Sequence, residues 1–320
     1  MVAQQAVNDI WGCTDETCGG VCSNPISLCE DLILGCDAVS GDVADVVYTA
    51  NNGDTWTDTA AQPFGNDENV ISVTCFAKDN TTTRYLVVRD TDGATNAEIA
   101  YSDDTGATWT NVDVESTGSF LGANDSGALF ALDYRHIWLV LTGGYIVFSS
   151  DGGVTWTMQE EANIGTDDYN AVHFSDTNHG YAVADSGVVV KTDNGGETWK
   201  AVTAITGTPN VLCVYVFDED NVIVGDNGGD IWRSWDGGTT WTQLYTGSTA
   251  INDISFANDF VGFALDGDEI LRTRNGGEDW ESLSGLPALT ELNAVWVCDS
   301  NTAYVVGEDD SNLGIVFKVA

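Results

Sequence analysis

One octapeptide pattern, Ser/Thr-x-Asp/Asn-x-Gly-x-Thr/Asp-Trp, recurs six times, and this repetition narrows the accessible folds more than any other feature of the chain. It spans Thr49 to Trp56, Ser102 to Trp109, Ser149 to Trp156, Thr192 to Trp199, Ser234 to Trp241 and Thr273 to Trp280. The tryptophans follow one another at intervals of 53, 47, 43, 42 and 39 residues. A period of that size means small structural units, each of which buries its apolar face only against the next.

Each pattern sits between two strand-like runs. Before it come Asp45-Val46-Val47-Tyr48, Gly187-Val188-Val189-Val190-Lys191, Asp230-Ile231-Trp232-Arg233 and Glu269-Ile270-Leu271-Arg272, rich in β-branched and aromatic residues. After it, a short strand starts at the tryptophan. Strand, glycine turn and strand make a hairpin. The glycine supplies a positive φ, and the Asp or Asn with its Ser or Thr satisfies turn backbone groups. The tryptophan offers an apolar plate to the neighbouring unit. This reading assigns structural roles to Asn51 and Trp56, Asp104 and Trp109, Asp151 and Trp156, Asn194 and Trp199, Asp236 and Trp241, and Asn275 and Trp280.

A second element opens each unit. It reads Asn8-Asp9-Ile10-Trp11, Asn69 to Val73, Leu129 to Leu132, Asn170 to Phe174, Val211 to Tyr215, Asn252 to Phe256 and Asn293 to Trp296. That gives seven openings for six hairpin patterns, the last unit ending in Gly314-Ile315-Val316-Phe317-Lys318. Four strands per unit of about 42 residues predict an all-β, seven-bladed β-propeller formed by residues 1 to 320 as a single domain. Val2 to Ala6 would supply a fourth strand to the last blade. A Cys-rich insertion over about residues 13–40 lies within blade one.

Charge restricts the partners. The chain carries 50 acidic and 10 basic residues, a formal net charge of −40. Nucleic acid is excluded as a partner, since phosphate affinity rests on Lys and Arg, and an anionic membrane surface is disfavoured for the same reason. No stretch is long and apolar enough for membrane insertion, and no signal peptide is visible. Five of the eight cysteines, Cys13, Cys18, Cys22, Cys29 and Cys36, crowd into the first 36 residues without CxxC pairs or nearby histidines. They read as disulfide staples rather than a zinc site, and so point to an extracellular or virion-surface location.

These motifs resemble the Asp-box (BNR-type) propellers, and the seven-unit layout is most similar to the photosystem II assembly-factor-like group, with virus-encoded members included. The resemblance covers nearly the whole chain apart from the Cys-rich stretch. It implies the fold strongly and the function weakly, because the same box occurs in sialidases, sortilin-type receptors and xyloglucan-active hydrolases.

Catalytic signatures are sparse. The Arg-Ile-Pro signature of the sialidases is absent, and the three histidines, His136, His173 and His179, fall in no nucleophile or metal spacing. His173, on an apolar inner strand, reads as a core residue. Trp138, Trp232, Trp235 and Trp296 are candidate sugar platforms whose simpler role is packing between blades. Carboxylate-rich loops at Asp90 to Glu98, Asp226 to Asp230 and Asp266 to Glu269 make calcium the one ion to consider, although none has EF-hand spacing. One basic constellation stands out. Lys191, Arg233, Arg272 and Lys318 occupy the same place in consecutive units, where Tyr48, Tyr101 and Phe148 stand in the first three. Their stems either cover the blade face or form a cationic arc for an acidic partner segment.

The sequence thus predicts a non-catalytic structural or interaction propeller, a rigid disulfide-stapled scaffold that needs no cofactor. Its partners would be other proteins of an assembly, meeting it at the blade-seven edge or the Cys-rich loop. The competing expectation is a carbohydrate-binding or glycoside-hydrolysing propeller with a glycan partner.

Overall fold

The computed structural model describes residues 7–14, 32–36, 46–49, 57–64, 70–79, 81–89, 98–114, 126–159, 167–283, 289–300, 302–309 and 314–319. Within them the chain is built from antiparallel meanders. The first contains β1 (Val7–Thr14), β2 (Leu32–Cys36), β3 (Val46–Thr49) and β4 (Thr57–Asp58). The second contains β5 (Val70–Asp79), β6 (Thr82–Arg89), β7 (Glu98–Ser102) and β8 (Thr110–Asp113). Next come β9 (Ser126–Asp133), β10 (His136–Leu141), β11 (Tyr145–Ser149) and β12 (Thr157–Met158), then β13 (Tyr169–Phe174), β14 (Gly180–Ala184), β15 (Val189–Thr192) and β16 (Lys200–Ala201). The fifth and sixth are β17 (Val211–Val216), β18 (Val222–Asp226), β19 (Asp230–Ser234), β20 (Thr242–Thr246), and β21 (Ile251–Phe256), β22 (Gly262–Asp266), β23 (Glu269–Thr273), β24 (Glu281–Ser282). The last described strands are β25 (Leu289–Asp299), β26 (Thr302–Asp309) and β27 (Gly314–Val319).

Four meanders stand as separate four-stranded sheets, and β25–β27 form a three-stranded one. The first two meanders join into one eight-stranded sheet, because β1 and β5 pair in parallel at Cys13↔Cys75 and Thr14↔Phe76. The seven opening segments read from sequence are the first strands β1, β5, β9, β13, β17, β21 and β25. Leu32–Cys36 falls inside the stretch read as a Cys-rich insertion, yet it is strand β2, paired with both β1 and β3. Its apolar Leu-Ile-Leu run explains why it enters the sheet. Val2 to Ala6, Cys18, Cys22 and Cys29 lie outside the described residues, as do Asn51 and Trp56 of the first box.

Burial shows how the units stack. The second strands β14, β18 and β22 are buried at every position, whereas the fourth strands β12, β16 and β24 are exposed. A strand covered on both faces loses the in-out alternation of a half-buried sheet. The apolar clusters explain the cover, since each spans two consecutive meanders. Phe76 and Leu86 pack with Leu139 and Trp156; Trp138 packs with Phe174 and Trp199; Ile223 packs with Ile254 and Leu271. The core therefore lies between units rather than inside any one of them.

The register confirms the equivalence of the basic positions. Tyr181 pairs with Lys191, Ile223 with Arg233, Phe263 with Arg272 and Tyr304 with Lys318. Ile33 pairs with Tyr48, Leu86 with Tyr101 and Trp138 with Phe148 in the corresponding places. Because the strands alternate in direction, the turn from first to second strand and the box between third and fourth strands lie at one end of the molecule. The turn from second to third strand lies at the other.

Candidate functional site

The box end is built from one repeated hydrogen-bond unit. In the second meander Ser102 Oγ donates to Asp104 Oδ1 at 2.8 Å and accepts from Gly106 N at 2.8 Å. Thr108 N and Oγ1 donate to the Asp104 carboxylate at 2.8 and 2.7 Å. The arrangement returns around Asp151, Asn194, Asp236 and Asn275. The amide and hydroxyl of Thr240 hold the Asp236 carboxyl below its ordinary range, and the Thr108 hydroxyl and amide do the same for Asp104. Two successive left-handed residues close each turn, as at Gly195 (φ 69°) and Gly196 (φ 86°). These Asp and Asn side chains are turn scaffolding.

The box tryptophans reach backwards along the chain. Trp109 Nε1 donates to Ala61 O at 2.7 Å, Trp199 Nε1 to Gln159 Oε1 at 3.0 Å, and Trp241 Nε1 to Thr203 O at 2.8 Å. Trp156 and Trp199 are buried, while Trp109, Trp241 and Trp280 are half-buried. The seal against the neighbouring unit thus varies in depth from blade to blade.

Other side chains reach forwards. The carbonyl of the first glycine in a box accepts a hydrogen bond from the preceding unit in three places. Arg84 Nη1 donates to Gly152 O at 2.9 Å, Trp138 Nε1 to Gly195 O at 3.2 Å, and Arg233 Nη1 to Gly276 O. Arg272 Nη2 donates to Ser300 O at 2.7 Å, and Tyr181 Oη to Glu219 O at 2.8 Å. Lys191 Nζ lies 3.1 Å from Asp193 and 3.5 Å from Glu219 O. Arg233 and Arg272 therefore act first as latches onto the next unit, with Arg233 8% exposed, while Lys191 pairs first with Asp193 of its own unit. Of Lys318 only the strand pairing is described. Missing from the sequence reading was Arg84, whose guanidinium is locked by Asp103 at 2.7 Å and stacked over Tyr101 at 3.9 Å.

The first strands carry a second set of ties. His173 Nδ1 accepts from Val216 N at 3.2 Å, and its ring lies 4.6 Å from both Phe130 and Tyr215. Burial drives its pKa down to about 3, so it is a neutral core acceptor. Asp253 was not foreseen. It accepts from Ile254 N and Val295 N, each at 2.8 Å, and burial raises its pKa to about 6.

The proposed carboxylate loops lie at the opposite end. Asp226 accepts from Gly228 N, Asp230 N and Trp232 Nε1 at 2.8, 3.0 and 2.9 Å. Asp266 accepts from Thr249 Oγ1 and from Tyr245 Oη at 2.9 Å. Both carboxylates are thus occupied in turn closure, and the Asp90 loop lies largely outside the described residues. Among the described residues no cluster of three or more His, Cys, Asp or Glu is arranged to hold a metal ion. Of the tryptophans read as sugar platforms, Trp138 is buried and stacked on Phe174 at 3.6 Å. Trp232 is tied to Asp226, Trp296 is half-buried, and Trp235 is 45% exposed.

Trp235 borders a cleft of about 480 Å³ at the box end, lined also by Asp176, His179, Asp218, Glu219, Asp220 and Asn221. His179 spans it, with Nδ1 2.8 Å from Asp176 and Nε2 3.4 Å from Glu219. The Asp176 hydrogen bond raises the His179 pKa. The cleft presents carboxylates and one aromatic plate, and it contains no nucleophile activated by a base.

Comparison with known proteins agrees with this architecture. Residues 104–255 match the family model described as photosynthesis system II assembly factor YCF48. Over those residues the chain resembles the Asp-box, BNR-type β-propeller of that assembly factor. The solved YCF48 from Cyanidioschyzon merolae superposes with a TM-score of 0.69 at 15% identity, covering 100% of this chain and 96% of that one. A YCF48 structure bound to D1 peptide gives 0.70 at 15% identity, covering 100% and 95%. The GH74 xyloglucanase from Xanthomonas campestris gives 0.67 at 13% identity over 95% of this chain and 51% of its own. At such identities the likeness is one of fold. No curated protein matches the chain by sequence.

Proposed function

We propose that this Asp-box propeller is a non-catalytic interaction module, its seven meanders closed into one ring over residues 1–320 and presented to protein partners in an extracellular or virion assembly. The observation that carries this reading is the employment of the buried bases. Arg84, Arg233 and Arg272 donate to main-chain carbonyls of the following unit, which stiffens the ring and leaves no convergent arginine set for a substrate carboxylate. Likeness to a propeller solved with a bound peptide supports a protein partner. Cys298 is disulfide-bonded, and Cys213 is a buried free thiol. Burial raises the Cys213 thiol pKa well above its usual value, so it stays inert. No cofactor is part of this reading.

Among the described residues β27 ends its three-stranded sheet, and there a partner strand would add by main-chain hydrogen bonding. Cross-linking of the assembly isolated from its native source should place partner contacts on β27 and the N-terminal residues 1–40. Hydrolysis of xyloglucan oligosaccharides by the purified chain, with no partner recovered, would overturn the proposal in favour of a glycosidase.

A further inference from the structure

Two positions at the box end break the pattern of their equivalents. The turn from first to second strand places Thr81, Arg135, Asn178 and Asp220 two residues after the Asp that anchors the turn through its carboxylate. In the sixth unit that place is Phe260, whose amide N donates to Asn258 Oδ1 at 3.0 Å. The second box position is Asp103, Ser150, Asp193 and Arg274 in other units, and Trp235 in the fifth. Phe260 is 64% exposed and Trp235 45% exposed. The two exceptions stand on adjacent units and flank one seam. Arg233 lies 5.2 Å from the Trp235 ring centroid and donates to Gly276 O, while Gly276 N donates to Phe260 O at 2.9 Å.

Large aromatics exposed at turn positions leave much of their apolar surface in water. The charge around them selects the partner. Asp218, Asp259 and Glu278 act on the Arg233 guanidinium, and Glu219, Asp220 and Asp236 lie on the same end of the fifth unit. Arg233 lies beneath the patch, held between Phe217, at 4.4 Å, and Trp235, at 5.2 Å. The exposed parts of Trp235 and Phe260 lie on an end of the molecule rich in these carboxylates. An arginine-bearing segment satisfies both features, because guanidinium stacks on aromatic faces and pairs with carboxylates.

Building on the interaction reading above, we infer that Trp235 and Phe260 form a docking patch for an arginine-rich segment of a partner protein, with Asp220, Asp259 and Glu278 as its charged rim. The probe is fluorescein-labelled nona-arginine at physiological salt, with nona-lysine beside it. Nona-arginine should bind more tightly than nona-lysine. The double variant Trp235→Ser/Phe260→Ser, which leaves the net charge unchanged, should lose about tenfold in affinity. The triple variant Asp220→Asn/Asp259→Asn/Glu278→Gln should lose at least as much. Asp230→Asn/Asp268→Asn/Glu269→Gln removes equal charge at the opposite end and should change binding by less than about threefold. Unchanged binding by the aromatic double variant, or equal losses in both triple variants, would reduce the effect to diffuse attraction and overturn the patch. Both proteins are then taken through the native assembly. If the aromatic variant retains its partners there, the patch fails and the interaction reading survives; if parent and variant alike assemble with nothing, both fail.

Discussion

Between the third and fourth units, Trp138 is buried flat against Phe174 at 3.6 Å and donates its indole N–H to Gly195 O. Gln159 adds a second donor to the same carbonyl at 2.9 Å while accepting from Trp199. Between the fifth and sixth units the corresponding carbonyl, Gly276 O, is held by the Arg233 guanidinium, sandwiched by Phe217 and Trp235. One acceptor in the repeated turn is thus served by an apolar donor in one seam and a charged donor in the other. The apolar seam gains transfer energy from the whole indole. The charged seam carries a desolvation cost, visible as burial working against the Arg233 charge, which Glu278, Asp218 and Asp259 partly offset. What differs is tolerance: the first seam is closed to solvent, while the second leaves an aromatic ring outside.

The largest expected effect tests the apolar seam. Trp138→Ala should cost about 3–5 kcal/mol, the range for emptying a large aromatic site, as measured by urea denaturation. A loss under about 1 kcal/mol would mean that Gln159 and Phe174 hold the seam without the indole.

The next prediction uses pH on the inner strand that ties these same units together. Burial lowers the His173 pKa from 6.5 to about 3, so the unfolded chain takes up a proton that the folded one refuses. Its contribution is whole above pH 6.5 and is lost as pH falls towards 3, amounting to roughly 3 kcal/mol by pH 4. Asp253 acts with the opposite sign: its pKa of about 6 exceeds the ordinary 3.8, so its contribution is present below 3.8 and lost as pH rises through 6. His173→Gln should shrink the stability difference between pH 7 and pH 4. An unchanged difference would place acid sensitivity in the box carboxylates instead.

The smallest effect belongs to the charged seam. Arg233→Leu should cost about 1–3 kcal/mol through the unpaired Gly276 carbonyl. A stabilised variant would show that desolvation outweighs the latch, which would sharpen the contrast with Trp138.

Much of this molecule was legible in the repeat. The spacing located the first strands, and the Asp104, Asp151, Asn194, Asp236 and Asn275 turns form as their chemistry requires, because such hydrogen bonds span only two to four residues. His173 was recognised as a core residue from the apolar run around it. The extent of the Cys-rich insertion was misjudged, because cysteine density masked the apolar run that forms β2. The basic positions were correctly aligned, but alignment could not say whether Arg233 reached solvent or Gly276 across the seam. Phe260 left a detectable signal, an aromatic residue where sibling turns are polar, yet its place at the same seam as Trp235 is set by a bond chain through two units.

Local hydrogen bonding and strand periodicity are properties of short windows, so the sequence by itself determined the meanders, their boxes and their stacking order. Which donor meets a given box carbonyl depends on side chains far along the chain, as with Gln159 and Gly195, Arg233 and Gly276 or Arg84 and Gly152, separated by 36, 43 and 68 positions. No repeat rule encodes that choice, because Arg, Trp and Gln all present an N–H that fits. Only the packing of one unit on the next decided which bases are buried as latches and which aromatic rings remain in water.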